Sequence, residues 1–448
     1  MSSDWEPTTL GSVCDRQGGS IQTGPFGSQL HASDYVEQGI PVVMPANIGS
    51  DGGISEDGIA RITQFDADRL QQHKLQVGDV VFSRRGDVTR NALIEAHQAG
   101  WLCGTGCLKV RLGSQTQASA KFISYCLRLP ETKDWLVRHA VGATMPNLNT
   151  SILSAVPILL PELPVQQSIA NILGCLDERI DLLRETNATL EAIVQALFKS
   201  WFVDFDPVHA RARGEQPAGL APEVAALFPD SFEESALGMV PKGWNTGTLG
   251  DVAHFQNGYA FKSKDWCESG HPVVKIGDVK PGIIDFSGCS YIAPETTEGL
   301  SRFKLRRGDL LVGMTGYVGE TGLVPHVEPH AYLNQRVGRI ATKSGLIDLG
   351  FVYCLVRNSA FKGYAEARSH GSAQANVSGA VLLDYPVVTP TQNILDRFNG
   401  SVGVLLERIL SNHEQAQTLA TLRDTLLPRL ISGQLRLPEA EAMVEGAS

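Results

Sequence analysis

The sequence lacks the short motifs by which many enzymes are recognised. It contains no GxxxxGK[ST] phosphate loop, no GxGxxG, no HExxH and no GxSxG, so the usual nucleotide, dinucleotide, zinc-peptidase and hydrolase sites are excluded. Eight cysteines are scattered along 448 residues without a CxxC pair, which excludes a zinc ribbon and argues against a disulfide scaffold. We therefore expect a binding role, no metal site, and cysteines that are small buried residues in a reducing cytoplasm.

Long apolar runs and a basic leader are missing as well. No segment approaches the roughly 18 uninterrupted apolar residues of a membrane helix. Residues 1–7 show no basic stretch followed by an apolar one, so no secretory signal is expected and we place the protein in the cytoplasm. Hydrophobic residues make up 43 % and charged residues 19 % of the chain, as in ordinary globular proteins, and the length predicts two or three domains.

The net charge of −10 is unevenly distributed. Residues 161–241 carry −8, residues 1–160 and 391–448 carry −2 each, and residues 242–390 carry +2. An acidic protein as a whole is a poor ligand for nucleic acid. Because the two large segments are nearly neutral, DNA binding stays open wherever basic side chains gather on one face.

The two halves of the sequence repeat each other in order, with an offset between 239 and 229 residues. A period of this size indicates a duplicated domain. In each copy, β-branched runs between Gly and Pro residues predict short strands, as at residues 40–44 and 273–276. The matched segments are Thr9–Val13 with Thr248–Val252, Gly39–Val43 with Gly270–Val274, Leu75–Val81 with Leu305–Leu311, and Gly142–Asn149 with Gly371–Ser378.

Each copy ends in a predicted helix of about 38 residues, roughly 55–60 Å long. Apolar residues recur there at alternating spacings of three and four, the pattern of a coiled-coil seam. Pro164 suits the start of the first helix and Gly433 the end of the second. The first seam is Ile169, Leu173, Leu176, Ile180, Leu183, Asn187, Leu190, Val194, Leu197 and Trp201; the second, less regular, is Leu395, Phe398, Val402, Leu405, Ile409, Asn412, Ala416, Leu419, Leu426 and Leu430.

These features predict an α+β protein in which two duplicated α/β domains are joined by two long helices packed as an antiparallel coiled coil. Asn187 and Asn412 fall near the helix midpoints, where they would meet and set the register; the alternative is that each faces solvent at the seam edge. The predicted segments are a domain at 1–160, a helix at 161–204, a linker at 205–241, a domain at 242–390, a helix at 391–433 and a tail at 434–448.

Candidate DNA-binding residues lie on Gly- and Pro-rich loops of both copies. Arginine can present two hydrogen bonds to guanine, and asparagine or glutamine two to adenine, while other cations hold phosphates. Any one of these residues taken alone is more readily a solvated surface charge or a turn aromatic packed into the core, but as a set on repeated loops they indicate binding. They are Thr23, Phe26, Ser28, His31, Arg84, Arg85 and Arg90 in the first copy, and Tyr259, Lys262, Lys264, Arg302, Lys304, Arg306, Arg307, Tyr317, Asn334, Gln335 and Arg336 in the second.

Eight short motifs follow one another along the duplicated sequence: Gly24–Ser28, Leu163–Ala170, Leu197–Pro207, Leu237–Trp244, Asn257–Lys264, Gly316–Gly322, Gly371–Val377 and Leu422–Gly433. No single motif is specific, but their order on a duplicated sequence is. Through these motifs, and over nearly its whole length, the sequence resembles the specificity (S) subunit of a type I restriction–modification system.

The resemblance implies two target recognition domains, each reading one half of a split DNA site, held apart by the helix pair. It implies double-stranded DNA, two methyltransferase subunits and two restriction/translocase subunits as partners. The chain is then non-catalytic and binds no cofactor itself, with S-adenosylmethionine, ATP and Mg²⁺ expected in the partner subunits. Trp201, Phe202 and Phe205 are candidate contacts for a methyltransferase subunit, or alternatively pack beneath the neighbouring domain.

Two other functions stay open from the sequence. One is a stand-alone enzyme with dispersed catalytic residues, which turnover by the purified chain would support. The other is a scaffold that binds only proteins, which retention of partners without DNA selectivity would support.

Overall fold

The computed structural model describes residues 5–49, 51–142, 144–342, 348–370 and 375–446. The chain divides into two compact units: unit 1 comprises residues 1–179 and 418–448, and unit 2 comprises residues 180–417. Each unit therefore contains one sequence copy together with part of each long helix. The division predicted from the sequence treats each long helix as a separate segment. The two units instead divide each long helix, because each part of a helix packs on the domain beside it.

Unit 1 contains short strands, short helices and parts of two long helices. Its strands are β1 (Glu6–Thr9), β2 (Gly18–Thr23), β3 (Tyr35–Val36), β4 (Ile40–Val43), β5 (Ala60–Ile62), β6 (Val80–Ser83), β7 (Asn91–Leu93), β8 (Leu102–Cys103), β9 (Cys107–Gly113) and β10 (Pro157–Leu160). Its short helices are α1 (Leu10–Arg16), α2 (Gln64–Arg69), α3 (Ala120–Arg128), α4 (Pro130–His139) and α5 (Thr150–Ser154). The first long helix is α6 (Leu163–Phe202).

Unit 2 has a corresponding set of elements. Its helices are α7 (Asp206–Ala212), α8 (Pro222–Ala225), α9 (Leu249–Val252), α10 (Leu349–Arg357), α11 (Ser359–Ala367) and α12 (Gly379–Leu383). Its strands are β11 (Phe232–Ser235), β12 (Gly238–Pro241), β13 (Asn245–Thr248), β14 (His254–Asn257), β15 (Trp266–Cys267), β16 (His271–Val274), β17 (Gly282–Ile283), β18 (Ser290–Ile292), β19 (Leu310–Gly313), β20 (Thr321–Leu323), β21 (Tyr332–Leu333), β22 (Val337–Ala341) and β23 (Pro386–Thr389). The second long helix, α13 (Gln392–Ile431), begins in unit 2 and ends in unit 1, and α14 (Leu437–Glu445), which follows it, belongs to unit 1.

The two units repeat one topology, which confirms the predicted duplication. Unit 1 has sheets in the orders β2-β9-β6-β7 and β3-β5-β4-β8, and unit 2 has β14-β22-β19-β20-β17 and β15-β18-β16-β21. The registers agree, since Val81 lies opposite Lys109 in unit 1 and Leu311 opposite Arg339 in unit 2. The turns before β6 and β19 use Gly78 and Gly308, both with φ of +86°, a conformation that favours glycine.

Helices α6 and α13 each span 40 residues, about 60 Å. In unit 2 they run antiparallel, because Asn187 meets Asn412 while Trp201, further along α6, lies 5.5 Å from Phe398 between ring centroids. In unit 1 they are also antiparallel: Asp177 binds Arg423, and the earlier residue Ile169 lines a cavity with the later residue Leu430. The predicted antiparallel pair of long helices is confirmed.

The structure corrects two expectations about segments outside the domains. Residues 205–241 are not an open linker: they form α7, α8 and the β11–β12 hairpin, and Val208, Val224 and Phe228 are buried in the core of unit 2. The predicted tail contains α14, with Ala440 buried. Cysteine burial also differs from expectation at two positions, since Cys175 and Cys267 are exposed.

Candidate nucleic-acid interface

In unit 1 the loops that carry the candidate residues converge on one edge of a sheet. Strands β2 and β6 end at this edge, and their antiparallel neighbours β9 and β7 begin there. We call residues 23–31, 84–90, 104–106 and 144–148 loop edge 1. Backbone hydrogen bonds join these loops, since the Gly24 N–H donates to Cys107 O at 2.9 Å and the Arg84 N–H donates to Gly106 O at 2.8 Å.

Two adjacent arginines occupy the middle of loop edge 1. Arg84 is half-buried, its Nε donates to Asn147 Oδ1 at 3.3 Å, and its carbonyl accepts from the Leu148 N–H at 2.9 Å. Arg85 pairs with Asn147 through the backbone, and its side chain is exposed. Asn147 is not among the candidate residues predicted from the sequence. The signal for it is that both copies of the duplicated segment carry an asparagine at this position, Asn147 and Asn376.

Arg90 differs from this pair. It is half-buried, its Nε donates to Asp87 Oδ2 at 2.9 Å, and its side chain also reaches Ile48 O at 3.3 Å. Because the neighbouring carboxylate balances its charge, Arg90 stabilises the turn and is not an unpaired cation. Thr23, at the end of β2, is half-buried opposite Leu108.

Phe26 projects from a fixed turn of loop edge 1. The Phe26 N–H donates to Gln29 Oε1 at 3.0 Å, the Gln29 N–H donates to Phe26 O at 2.8 Å, and Arg69 donates to Gln29 O at 2.9 Å. The phenyl ring is nevertheless 59 % exposed. Ser28 and His31 are exposed beside it. The turn therefore holds an apolar ring in water in a defined position.

Unit 2 builds the same kind of edge from the matching loops. Strands β14 and β19 end, and β20 and β22 begin, at one shared end of the sheet. We call the flanking residues 258–264, 314–320 and 334–336, together with residues 375–376, where Asn376 bridges to Thr315, loop edge 2. The Gly316 N–H donates to Ala375 O at 2.9 Å, as the Gly86 N–H donates to Pro146 O at 3.2 Å in unit 1. Residues 371–374 of the repeated motif lie outside the described residues.

Loop edge 2 presents a different set of side chains. Lys262, Lys264, Gln335 and Arg336 are exposed, and Tyr317 is 67 % exposed. Two other candidates are less accessible than these, and their role in DNA binding stays a prediction. Asn334 is buried and its Oδ1 accepts from the Arg336 N–H at 3.2 Å, while the half-buried Tyr259 packs its ring against Phe261 and Phe303.

The basic run of residues 302–307 does not join loop edge 2. It precedes β19 and so lies at the other end of that strand. Arg307 is a structural residue here, because its guanidinium donates to Glu414 at 2.7 Å and to Glu407 at 2.6 and 2.8 Å. The exposed Arg302 rests its guanidinium over Phe303. The structure therefore separates this run from the other candidates of the second copy.

In each unit a cation holds the backbone of this run: it is the buried Lys109 in unit 1 and the half-buried Arg339 in unit 2. In unit 1, Lys109 Nζ donates to Gln72 O at 2.8 Å and to Lys74 O at 3.3 Å, and burial lowers the pKa of this lysine. In unit 2, Arg339 donates to the matching carbonyls of Arg302 and Lys304 at 3.3 and 3.4 Å. The same backbone is held in both copies by different side chains.

Carboxylates on α6 attach each domain to the helix within its own unit. Asp177 accepts from Tyr125 Oη at 2.7 Å and from Arg128 at 3.2 Å in unit 1. Glu191 accepts from Tyr353 Oη at 2.6 Å in unit 2. Burial, reinforced by the adjacent carboxylate, raises the pKa of both tyrosines. These acidic residues of α6 therefore stabilise the contact between the helix and the domain beside it.

The two seam asparagines contact each other, which is the first of the two alternatives that the sequence left open. Asn412 Nδ2 donates to Asn187 Oδ1 at 2.9 Å, and Asn187 Nδ2 donates to Ile409 O at 2.9 Å. Asn412 is 1 % exposed. A polar pair in an otherwise apolar seam is satisfied in one alignment of the helices, so a shifted alignment would leave buried polar groups without partners.

The aromatic end of α6 follows the alternative that the sequence left open. Trp201 and Phe202 are buried, and the Phe202 ring lies 4.7 Å from Phe398 and 5.0 Å from Phe351 between centroids. Phe205 is half-buried against Trp244. These rings form the core of unit 2, so they are not available as arranged to a second protein.

Within the residues that the structure describes, His, Cys, Asp and Glu side chains form no group of three or more suited to hold a metal ion. Among those residues, no helix combines the length and the apolar character needed to cross a membrane.

Comparison with known proteins identifies a family. The profile of the type I restriction modification DNA specificity domain matches residues 2–192 and 241–422. The HindI specificity subunit of Haemophilus influenzae is 25 % identical over 358 residues, covering 70 % of this chain and 77 % of that one. The MjaIX specificity subunit of Methanocaldococcus jannaschii is 25 % identical over 326 residues, covering 71 % and 70 %.

A solved structure shares the fold. The crystal structure of the S subunit of the type I restriction-modification system from M. genitalium matches with a TM-score of 0.57 at 17 % identity, covering 95 % of this chain and 96 % of that one. The two profile matches coincide with the two sequence copies and span more than half of the chain. The chain thus belongs to the type I restriction–modification specificity subunits, the non-catalytic subunits that recognise DNA.

Proposed function

We propose that loop edge 1 and loop edge 2 each read one half of a bipartite DNA target, and that α6 and α13 set the spacing between the halves. The observation that carries the proposal is the repetition of one loop edge in two units with different side chains on it. Two domains with the same backbone but different side chains on their loops can recognise two different half-sites, since side chains and not the shared backbone make the contacts to bases.

The exposed side chains indicate which contacts each edge makes. In our proposal Arg85 and Arg336 donate to guanine and Gln335 pairs with adenine, because their forked groups match those base edges in the major groove. Phe26 and Tyr317 lie against the methyl group of thymine, the apolar feature of that groove. Lys262, Lys264, Ser28 and His31 hold phosphates or sugars around them.

The helix pair also supplies the place where methyltransferase subunits bind, in our proposal. Trp201 and Phe202 are occupied in the core, so the contact falls to exposed apolar residues outside the seam. Leu182 and Ile193 on α6 and Val404 on α13 are 53 %, 44 % and 69 % exposed. We further propose a complex with two methyltransferase and two restriction/translocase subunits, which bring S-adenosylmethionine, ATP and Mg²⁺.

The test is the genome-wide pattern of methylation. The chain is co-expressed with its methyltransferase subunit in a host that lacks the system, and methylated adenines are mapped with and without the chain. A split motif that appears only with the chain supports the proposal. Methylation of the same sites without it, or failure of the two proteins to associate, refutes it.

A substitution localises the reading to one edge. We expect Arg85→Ala to lower affinity for the split motif by about 1–3 kcal/mol and to relax only one half of it, since one bidentate base contact is lost. Arg16→Ala is the matched control, because Arg16 lies beside the opposite end of β2 and forms an exposed ion pair with Glu6. An unchanged motif and affinity for Arg85→Ala would remove this residue from the interface.

A further inference from the structure

A small cationic cavity lies at the end of the unit 2 sheet opposite loop edge 2. It has a volume of about 220 Å³, and Lys304, Arg306, Arg307, His326 and His330 contribute to its wall. Strand β19, which separates the two ends, has four residues, about 13 Å of extended chain. The cavity is therefore a separate feature from the edge proposed to read bases.

The cations of the cavity are not equivalent. Arg307 is held by Glu407 and Glu414 of α13, so its role is to fix the cavity against that helix. Lys304 and Arg306 have no acidic side-chain partner in the described part of the chain. The Arg306 N–H donates to Asp309 at 2.9 Å, which sets the turn and leaves the side chain exposed.

The first copy shows that the fold does not need these charges. The backbone of the cavity is the same in both units: the Leu75 N–H donates to Trp101 O and the Leu305 N–H donates to Ala331 O, both at 2.8 Å. Yet Arg306 and Arg307 correspond to Gln76 and Val77, and His326 and His330 correspond to Ala96 and Gly100. Lys74, the counterpart of Lys304, is neutralised by Asp68 at 2.6 Å.

We propose that this cavity binds phosphate groups, and that in the assembled complex these are backbone phosphates of DNA outside the half-site read by loop edge 2. The DNA assignment rests on the proposed function; the phosphate chemistry does not. A lysine ammonium and an arginine fork without internal partners, with two imidazoles beside them, offer several charge-assisted hydrogen bonds to a tetrahedral anion. Phosphate can also arrive as a free ion, so the test has one arm for each source.

The first arm measures the salt dependence of DNA binding by the complex with the methyltransferase subunit. Each phosphate contact contributes about 0.9 to the slope of log Kobs against log salt concentration. The variant Lys304→Gln/Arg306→Gln should reduce the magnitude of that slope by about 1.8 and leave the methylated motif unchanged. Lys74→Gln is the matched control at the equivalent position of unit 1 and should leave the slope unchanged.

The second arm titrates the full chain without DNA with inorganic phosphate and with pyrophosphate. Loss of this binding in the double variant, with an unaltered DNA salt slope, assigns the cavity to the free anion. No change in either arm overturns the phosphate site. Unchanged melting of the variants excludes unfolding as the cause. If the wild-type complex recognises no split motif, the proposed function fails, but the second arm still decides whether the cavity binds phosphate.

Discussion

Removing one member of the asparagine pair in the helix seam tests how these helices are aligned. In Asn187→Ala, the Nδ2 of Asn412, a residue that is 1 % exposed, loses the acceptor that lies 2.9 Å away. An unsatisfied buried polar group costs about 1–3 kcal/mol. In the double variant Asn187→Ala/Asn412→Ala no such group is left, so we expect its cost to be below the sum of the singles by about 0.5–1.5 kcal/mol.

Hydrogen–deuterium exchange is a suitable assay, because the chain divides into two compact units and local exchange does not require the whole chain to unfold in one step. Peptides covering residues 183–194 and 405–416 report local opening of the seam. A loss of 1–3 kcal/mol corresponds to exchange roughly 5 to 160 times faster. Asn171→Ala, an exposed position on the same helix, controls for a general effect on α6. Strictly additive effects of the two substitutions would show that the asparagines are not coupled, and the alignment argument would fail.

Two further outcomes follow from side chains described above. Once the target is known, replacing a thymine of the first half-site by uracil should weaken DNA binding by the wild-type complex severalfold but should not weaken binding by the Phe26→Ala complex. The control is Phe65→Ala, at an exposed position on α2 outside loop edge 1, which should respond like the wild type. Equal losses of affinity for all three proteins would contradict the contact with the thymine methyl group. Thiol reagents should label Cys175 and Cys267 of the native protein first, because the other cysteines are buried and burial raises the pKa of Cys14 and Cys103 to about 12. Mass spectrometry counts the labelled thiols, and rapid labelling of more than two in the native protein would contradict the packing.

The sequence was sufficient to predict the duplication and the long helices, because both depend on local periodicity. A seam residue such as Ile180 or Val402 is placed by its neighbours three and four positions away. The folding of residues 205–241 could not be predicted in this way. Their prolines and charges resemble a linker, whereas Phe228 is ordered by packing 5.1 Å from the ring of Trp201 on α6.

The sequence indicates which residue types the candidate site contains, but not which of those residues lie together. Arg85 and Arg336 were identified because basic residues on repeated loops are visible in sequence. Arg307 was grouped with them because it is adjacent to Arg306. The carboxylates that capture Arg307 lie about a hundred residues further along the chain, and such pairings are set by tertiary packing that a linear pattern does not contain.

The equivalent cations Lys109 and Arg339 have a consequence for how this protein can change. Each clamps the main chain of a surface turn from inside the sheet, at the carbonyls of residues 72 and 74 or 302 and 304. Because the turn is held through its backbone, its outward side chains can be exchanged without a loss of shape. One copy carries glutamine and valine at two positions of this turn where the other carries arginine, so the exposed chemistry of the turn can differ between the copies while its backbone conformation is kept.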